Sequence, residues 1–175
     1  LVENNYTTAL SMSERINEYN EARKELDKKM TDEATGIVNS LEDLSEKRAI
    51  VIFNEEWHRG VIGILASRLT EDYHRPAVVI TCTGEVATGS ARSVPGFDVY
   101  KAMEHCRGLL ENFGGHTYAA GFSLLVKNIP AFKEEFAKYV AENIRPEQTN
   151  STIEIEATLD FRDITRKFFS DLKKF

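Results

Sequence analysis

Apolar positions along the chain change period several times, and each change marks an element. After the polar opening, Ile16, Tyr19, Ala22, Leu26, Met30, Ala34, Ile37, Val38 and Leu41 recur by threes and fours. That spacing predicts one long amphipathic helix. Ser11-Met12-Ser13-Glu14 has capping-box form and predicts its start; Thr31-Asp32 and Gly36 are the points where it would break. A single stripe on so long a helix suits a connector lying along a domain surface. Ala49-Ile50-Val51-Ile52-Phe53 is an unbroken apolar run of the kind found in strands buried on both faces. Val61, Ile62, Leu65, Ala66 and Leu69 then form a helical stripe, and residues 76–81 predict a second buried strand. A turn at Cys82-Thr83-Gly84 leads to a third strand over Val86–Arg92.

Asp98 caps a predicted helix whose stripe runs through Val99, Ala102, Met103, Cys106, Leu109, Leu110 and Phe113, with Gly114 as its C-terminal stop. Residues 121–126 predict another strand, and Pro130 opens a helix carrying Phe132, Phe136, Tyr139 and Val140. Strand and helix alternate, so residues 48–146 read as an α/β domain with a mostly apolar central sheet. Residues 1–47 precede it as the connector. A polar linker starts at 147, and Ile153, Ile155, Ala157 and Leu159 alternate with polar residues as in a strand with one wet face. That strand would begin a second, antiparallel domain. Leu1 at one end and Lys173-Lys174-Phe175 inside an amphipathic stretch at the other make both ends read as cut.

Charge refines this picture. The 175 residues carry 22 Lys+Arg and 28 Asp+Glu, a net charge of −6, which argues against coating nucleic acid by bulk charge. Any polyanion must therefore be gripped locally. No apolar run is long enough to span a bilayer, and no secretory signal is visible. Two cysteines, Cys82 and Cys106, cannot make a disulfide framework or a closed zinc site alone. This usage suits a cytoplasmic protein.

Nine of the ten glycines lie between Gly60 and Gly121, so candidate chemistry is sought there. Phe113-Gly114-Gly115-His116 reads two ways: a backbone nest that binds an anion with an imidazole beside it, or a glycine helix cap followed by a surface histidine. Gly89-Ser90-Ala91-Arg92-Ser93 ends a predicted strand, with Ser90 and Arg92 on one side. It is either a phosphate fork with hydroxyls or a solvated strand edge. Trp57-His58-Arg59-Gly60 lies between strand and helix, where His58 could meet a phosphate and Trp57 either stacks on a base or anchors the turn. No phosphate-binding P-loop, dinucleotide fingerprint, zinc-protease motif or nucleophile elbow occurs, and no tight Asp/His cluster for two metal ions.

Three ordered segments carry a resemblance: residues 57–69, beginning Trp57-His58-Arg59-Gly60; Gly89-Ser90-Ala91-Arg92-Ser93 with Gly96-Phe97-Asp98; and Phe113-Gly114-Gly115-His116 with Ala119-Ala120-Gly121. Together they resemble the DHHA1 domain of the RecJ family of single-strand-specific DNA exonucleases. Asn17, Asn20 and Glu21-Ala22-Arg23 resemble that family's connector helix. The resemblance implies a three-layer α/β substrate-binding domain, preceded by a connector helix and followed by the start of an OB-like domain. It implies that Arg92, His116, Gly115, Gly114, Ser90, Ser93 and His58 contact nucleic-acid phosphates. It also implies that Mn2+ or Mg2+ is held by a DHH domain not included here, which would hydrolyse single-stranded DNA from its five-prime end. No catalytic residue and no metal ligand is then expected in this chain. Other members of the superfamily imply two alternatives: a phosphodiesterase for short oligonucleotides or cyclic dinucleotides, and a non-catalytic nucleic-acid-binding module.

Overall fold

The computed structural model describes residues 3–40, 48–151 and 155–174. A mixed five-stranded sheet in the order β1-β2-β3-β5-β4 forms its centre. The strands are β1 (Ile50–Phe53), β2 (Ala77–Thr83), β3 (Val86–Arg92), β4 (Asn112–His116) and β5 (Ala119–Leu125). Only β1 and β2 run parallel; the other three pairings are antiparallel. Helices α1 (Tyr6–Asn39) and α2 (Ile62–Tyr73) lie on one face, α3 (Val99–His105) and α4 (Ile129–Asn143) on the other. The three layers match the expected architecture.

Each face has its own core. Met30, Ala34 and Val38 of α1 meet Ile50, Ile52, Leu65 and Val79 on one side. On the other, Val78, Ile80, Ala91 and Phe122 meet Met103, Phe132, Phe136 and Val140. The parallel strands are apolar on both sides because both sides are covered. Strands β3 and β5 bury only the α3/α4 side and so alternate buried with open positions.

Four expectations change. The long helix starts earlier: Asn5 caps it, its Oδ1 accepting from Thr8 N at 3.1 Å, and Ser11-Met12-Ser13-Glu14 lies within. Its stripe is covered only from Leu26 onward; Ile16 and Tyr19 are exposed, and neither Thr31-Asp32 nor Gly36 breaks the helix. Leu41 lies outside the described residues. The helix capped by Asp98 ends at His105, passes through a 3-10 turn and gives way to β4, so Phe113 and Gly114 belong to a strand. The apolar spacing there persisted because Phe113 packs on the α3/α4 core from the sheet instead of from a helix. Thus Gly114 and Gly115 form neither a helix cap nor a nest. Finally, residues 155–160 join no sheet, and Ile155 and Leu159 stay exposed. Alternation creates a strand only where a partner ladder and an apolar surface exist, and none is present there among the described residues. The start of that expected strand lies outside the described residues. Beyond it, α5 (Arg166–Leu172) is a short exposed helix.

The polar stretch at 146 is not free of the domain. Pro146–Thr149 forms a 3-10 turn, and Gln148 Nε2 donates to Pro95 O at 3.4 Å.

Candidate nucleic-acid interface

Sheet register brings two of the sequence segments together. Arg92 of β3 and His116 of β4 both pair with Ala119 of β5, so the three form one row across the sheet. Two residues along, Ser90 pairs with Gly121, which pairs with Gly114. Directly paired and alternate residues share a face. Arg92, His116, Ser90, Gly121 and Gly114 therefore lie on the α2 side of the sheet. Gly121, Gly114 and His116 are exposed there, leaving an open, nearly bare floor beside α2.

Arg92 is held in place before any ligand arrives. Its side chain doubles back along β3, with Nη1 donating to Ser90 Oγ and to Ala91 O, both at 2.9 Å. Nε donates to Ser67 Oγ of α2 at 3.1 Å. Nη2 has no acceptor among the described residues and is not buried. No carboxylate among the described residues pairs with this guanidinium. Burial pushes its pKa below the ordinary guanidinium value, because the charge is poorly hydrated there. Arg68, one residue beyond Ser67, makes the contrast: it has a carboxylate, Asp27, at 2.6 Å. A fixed, half-buried cation without a counter-charge can pair with an anion.

The glycines divide into two kinds. A Cβ on Gly89 would strike the Phe122 ring, and one on Gly115 would meet the Ala119 carbonyl and, at 2.6 Å, the Ala120 Cα. Those two glycines are required by packing. Gly114 and Gly121 have nothing within 4 Å of an added Cβ. Glycine weakens a strand, and no neighbour demands it at these two positions. The effect is to leave the strand backbone uncovered on this face.

His116 Nδ1 accepts from Tyr118 N at 3.3 Å, which puts the neutral ring's proton on Nε2 and points a donor away from the turn. His58 is arranged alike, its Nδ1 accepting from Gly60 N at 3.1 Å. It shares no hydrogen bond with Arg92 or His116, however. It lines a separate groove with Tyr19, Ala22, Arg23 and Leu26 of α1. Ser93 also parts from the group: its hydroxyl donates to Phe97 O at 2.7 Å, closing the loop after β3. Trp57 is buried and its Nε1 donates to Glu33 Oε2 at 2.9 Å, which settles it as an anchor between loop and α1.

Three contributors escaped the sequence reading. Ser67 steadies Arg92; Gly63, one turn earlier, lies so close that an added Cβ would be 3.1 Å from Nη2. Both flank the apolar stripe of α2 at i and i+4, a signal that was available. Tyr118, exposed at the hairpin tip, stands edge-on to His116 with centroids 6.4 Å apart. Among the described residues, no group of three or more His, Cys, Asp or Glu could hold a metal ion.

Residues 46–142, more than half of the chain, match the DHHA1 domain. The chain belongs to the DHHA1 family. It is 31% identical over 166 residues to the single-stranded-DNA-specific exonuclease RecJ of Bacillus subtilis, covering 94% of this chain and 21% of that protein. To the Escherichia coli RecJ it is 30% identical over 168 residues, covering 92% and 29%. The crystal structure of RecJ in complex with Mn2+ from Thermus thermophilus superposes with a TM-score of 0.74 at 29% identity, covering 83% of this chain and 21% of that one. This DHHA1 chain thus spans between a fifth and three-tenths of the length of these curated relatives. No described helix is long and apolar enough to cross a membrane.

Proposed function

We propose that this DHHA1 chain is the substrate-gripping part of a RecJ-like, single-strand-specific five-prime-to-three-prime DNA exonuclease. The observation that carries the reading is Arg92: fixed by Ser67 and Ser90, lacking a counter-charge among the described residues, and on the same sheet face as Gly114 and Gly121, which bare the backbone. A phosphodiester supplies the missing anion. Nη2 of Arg92 and Nε2–H of His116 donate to its oxygens, and the flat floor lets the strand's backbone approach. Tyr118 offers a ring to the adjoining base. Hydrolysis itself belongs to a DHH domain outside this chain that holds Mn2+ or Mg2+; the RecJ structures solved with those metals support the metal. In the cleft with that domain, Arg92 and His116 orient the phosphate and offset its charge. A net charge of −6 is compatible with this reading because the grip is local.

The test is a fluorescence titration of this chain with a five-prime-phosphorylated single strand. Weak binding that falls with added salt is expected, together with its loss in Arg92→Ala. Binding unchanged by Arg92→Ala would overturn the reading.

A further inference from the structure

The open floor continues beyond the row of Ser90, Gly121 and Gly114. Thr88 of β3 pairs with Ser123 of β5, and Asn112 of β4 pairs with the same Ser123. Each lies two residues from the Ser90–Gly121–Gly114 row, so all three share its face. None of the three side chains has a hydrogen-bond partner among the described residues, and neither hydroxyl is buried. The end of this row nearest α2 is structured: Thr81, paired with Thr88, donates its hydroxyl to Trp57 O at 2.7 Å. The loop carrying His58 thereby closes one end of the row, while the β4 edge leaves the other open.

We propose that the Thr88–Ser123–Asn112 row is a second nucleotide subsite, holding the sugar-phosphate next to the one gripped by Arg92. This rests on the function proposed above. Neighbouring rows on one sheet face are about 6.8 Å apart, two residues of strand. That is the scale of the backbone repeat in an extended single strand. Because Nη1 of Arg92 bonds back onto Ser90 Oγ, the guanidinium is anchored at the Ser90 end of the middle row, beside Gly63 of α2 and one repeat from Thr88. A strand lying across the floor would place one phosphate at Arg92 and present the next to two hydroxyls and an amide. The division of labour is chemical: a cation fixes the first phosphate, and neutral donors and acceptors hold the second without demanding a base identity. No lysine or arginine stands in the row, so the added affinity should not steepen the salt dependence.

The experiment compares five-prime-phosphorylated thymidine mononucleotide with the corresponding dinucleotide, titrated into this chain and followed by amide chemical shifts and affinity. Both ligands are expected to perturb Arg92 and His116; only the dinucleotide should perturb Thr88, Asn112 and Ser123. In Thr88→Val/Ser123→Ala/Asn112→Ala, mononucleotide affinity should stay within about twofold. The dinucleotide's advantage, about tenfold as a hydrogen bond or two would give, should collapse. Row amides unmoved by the dinucleotide in the wild type, or an intact advantage in the variant, would overturn the subsite while leaving the grip at Arg92 standing. Should neither ligand perturb Arg92 or His116, the proposed function fails and the subsite with it.

Discussion

Arg92 and His116 stand on opposite sides of Ala119, each paired with it, so 24 residues of sequence separation become one row of the sheet. Their donors are also prepared alike. Ser67 and Ser90 hold the guanidinium, and Tyr118 N–H fixes the imidazole tautomer. Under the proposed function, Arg92→Ala and His116→Ala, tested beside the DHH domain, should each slow single-strand digestion by about 10²–10³. Thermal melts should move little, because neither residue is part of the buried core. Near-wild-type digestion by both variants would show that the phosphate is held elsewhere.

Gly63→Ala offers a sharper separation of stability from function. Gly63 is the second residue of α2, where alanine gains part of the roughly 1 kcal/mol it gains over glycine in a helix interior. Its methyl would also stand 3.1 Å from Arg92 Nη2 and 3.4 Å from Ser90 Oγ, displacing the guanidinium from its seat. The expected outcome is a variant at least as stable to urea as the parent but several-fold weaker for a phosphorylated single strand. Equal binding would mean that the position of Arg92 over α2 is immaterial.

The glycines of the floor should part in the same way. Gly115→Ala forces a methyl into the Ala119 carbonyl and the Ala120 backbone, so β4 must shift, at a cost of about 1–3 kcal/mol. Gly114→Val and Gly121→Val meet no neighbour as their Cβ is added and bring a better strand former. Denaturation should show Gly115→Ala weakened and the two valine variants unharmed, while strand binding is lost in the valine variants.

Much of this arrangement was legible in the chain because its signals are local. β3 was expected over the residues it occupies, and Asp98 caps α3 as expected, its Oδ1 accepting from Tyr100 N at 3.0 Å. Alternation alone placed Ser90 with Arg92. What the chain did not reveal depended on partners distant in sequence. The spacing that ended at Phe113 and Gly114 is helical in period, yet the Phe122 ladder draws those residues into β4. Ser93, expected beside Arg92 at the phosphate, instead has its hydroxyl donating to Phe97 O. His58 faces α1 because the loop is fastened by Trp57 to Glu33, a contact spanning 24 residues. Gly114 and Gly121 could be separated from Gly89 and Gly115 only once their neighbours were known.

Helix α1 is tied to α2 by an ion pair whose two halves are unequal. Arg68 Nη2 meets Asp27 Oδ2 at 2.6 Å; Asp27 is buried, and its Oδ1 has no partner among the described residues, whereas Arg68 is partly exposed. Removing the cation leaves a buried carboxylate uncompensated, so Arg68→Ala should cost about 3 kcal/mol. Asp27→Asn keeps the packing and should cost about 1 kcal/mol. The double variant should be more stable than Arg68→Ala alone, since neutralising the carboxylate removes the penalty. Urea unfolding of the four proteins tests the order; strictly additive losses would argue against the coupling.

Cys106 supplies a pH signature of the α3/α4 core. Burial, and secondarily the carboxylate of Glu135, push its thiol from 9.0 up to about 11. In the unfolded chain the thiol ionises near its ordinary value, while the folded protein holds its proton longer. The unfolded state therefore binds fewer protons between those two values, and stability must fall as pH rises through that window. Below about pH 9 the contribution is fully present. At about pH 8 an aromatic disulfide reagent should titrate the half-buried Cys82 and leave Cys106 unreacted until denaturant is added. Cys106→Ala should flatten the alkaline limb of a stability-versus-pH curve between about 9 and 11 while lowering the plateau, because the smaller side chain packs the core less well. An alkaline limb of unchanged slope in that variant would assign the titration to another group.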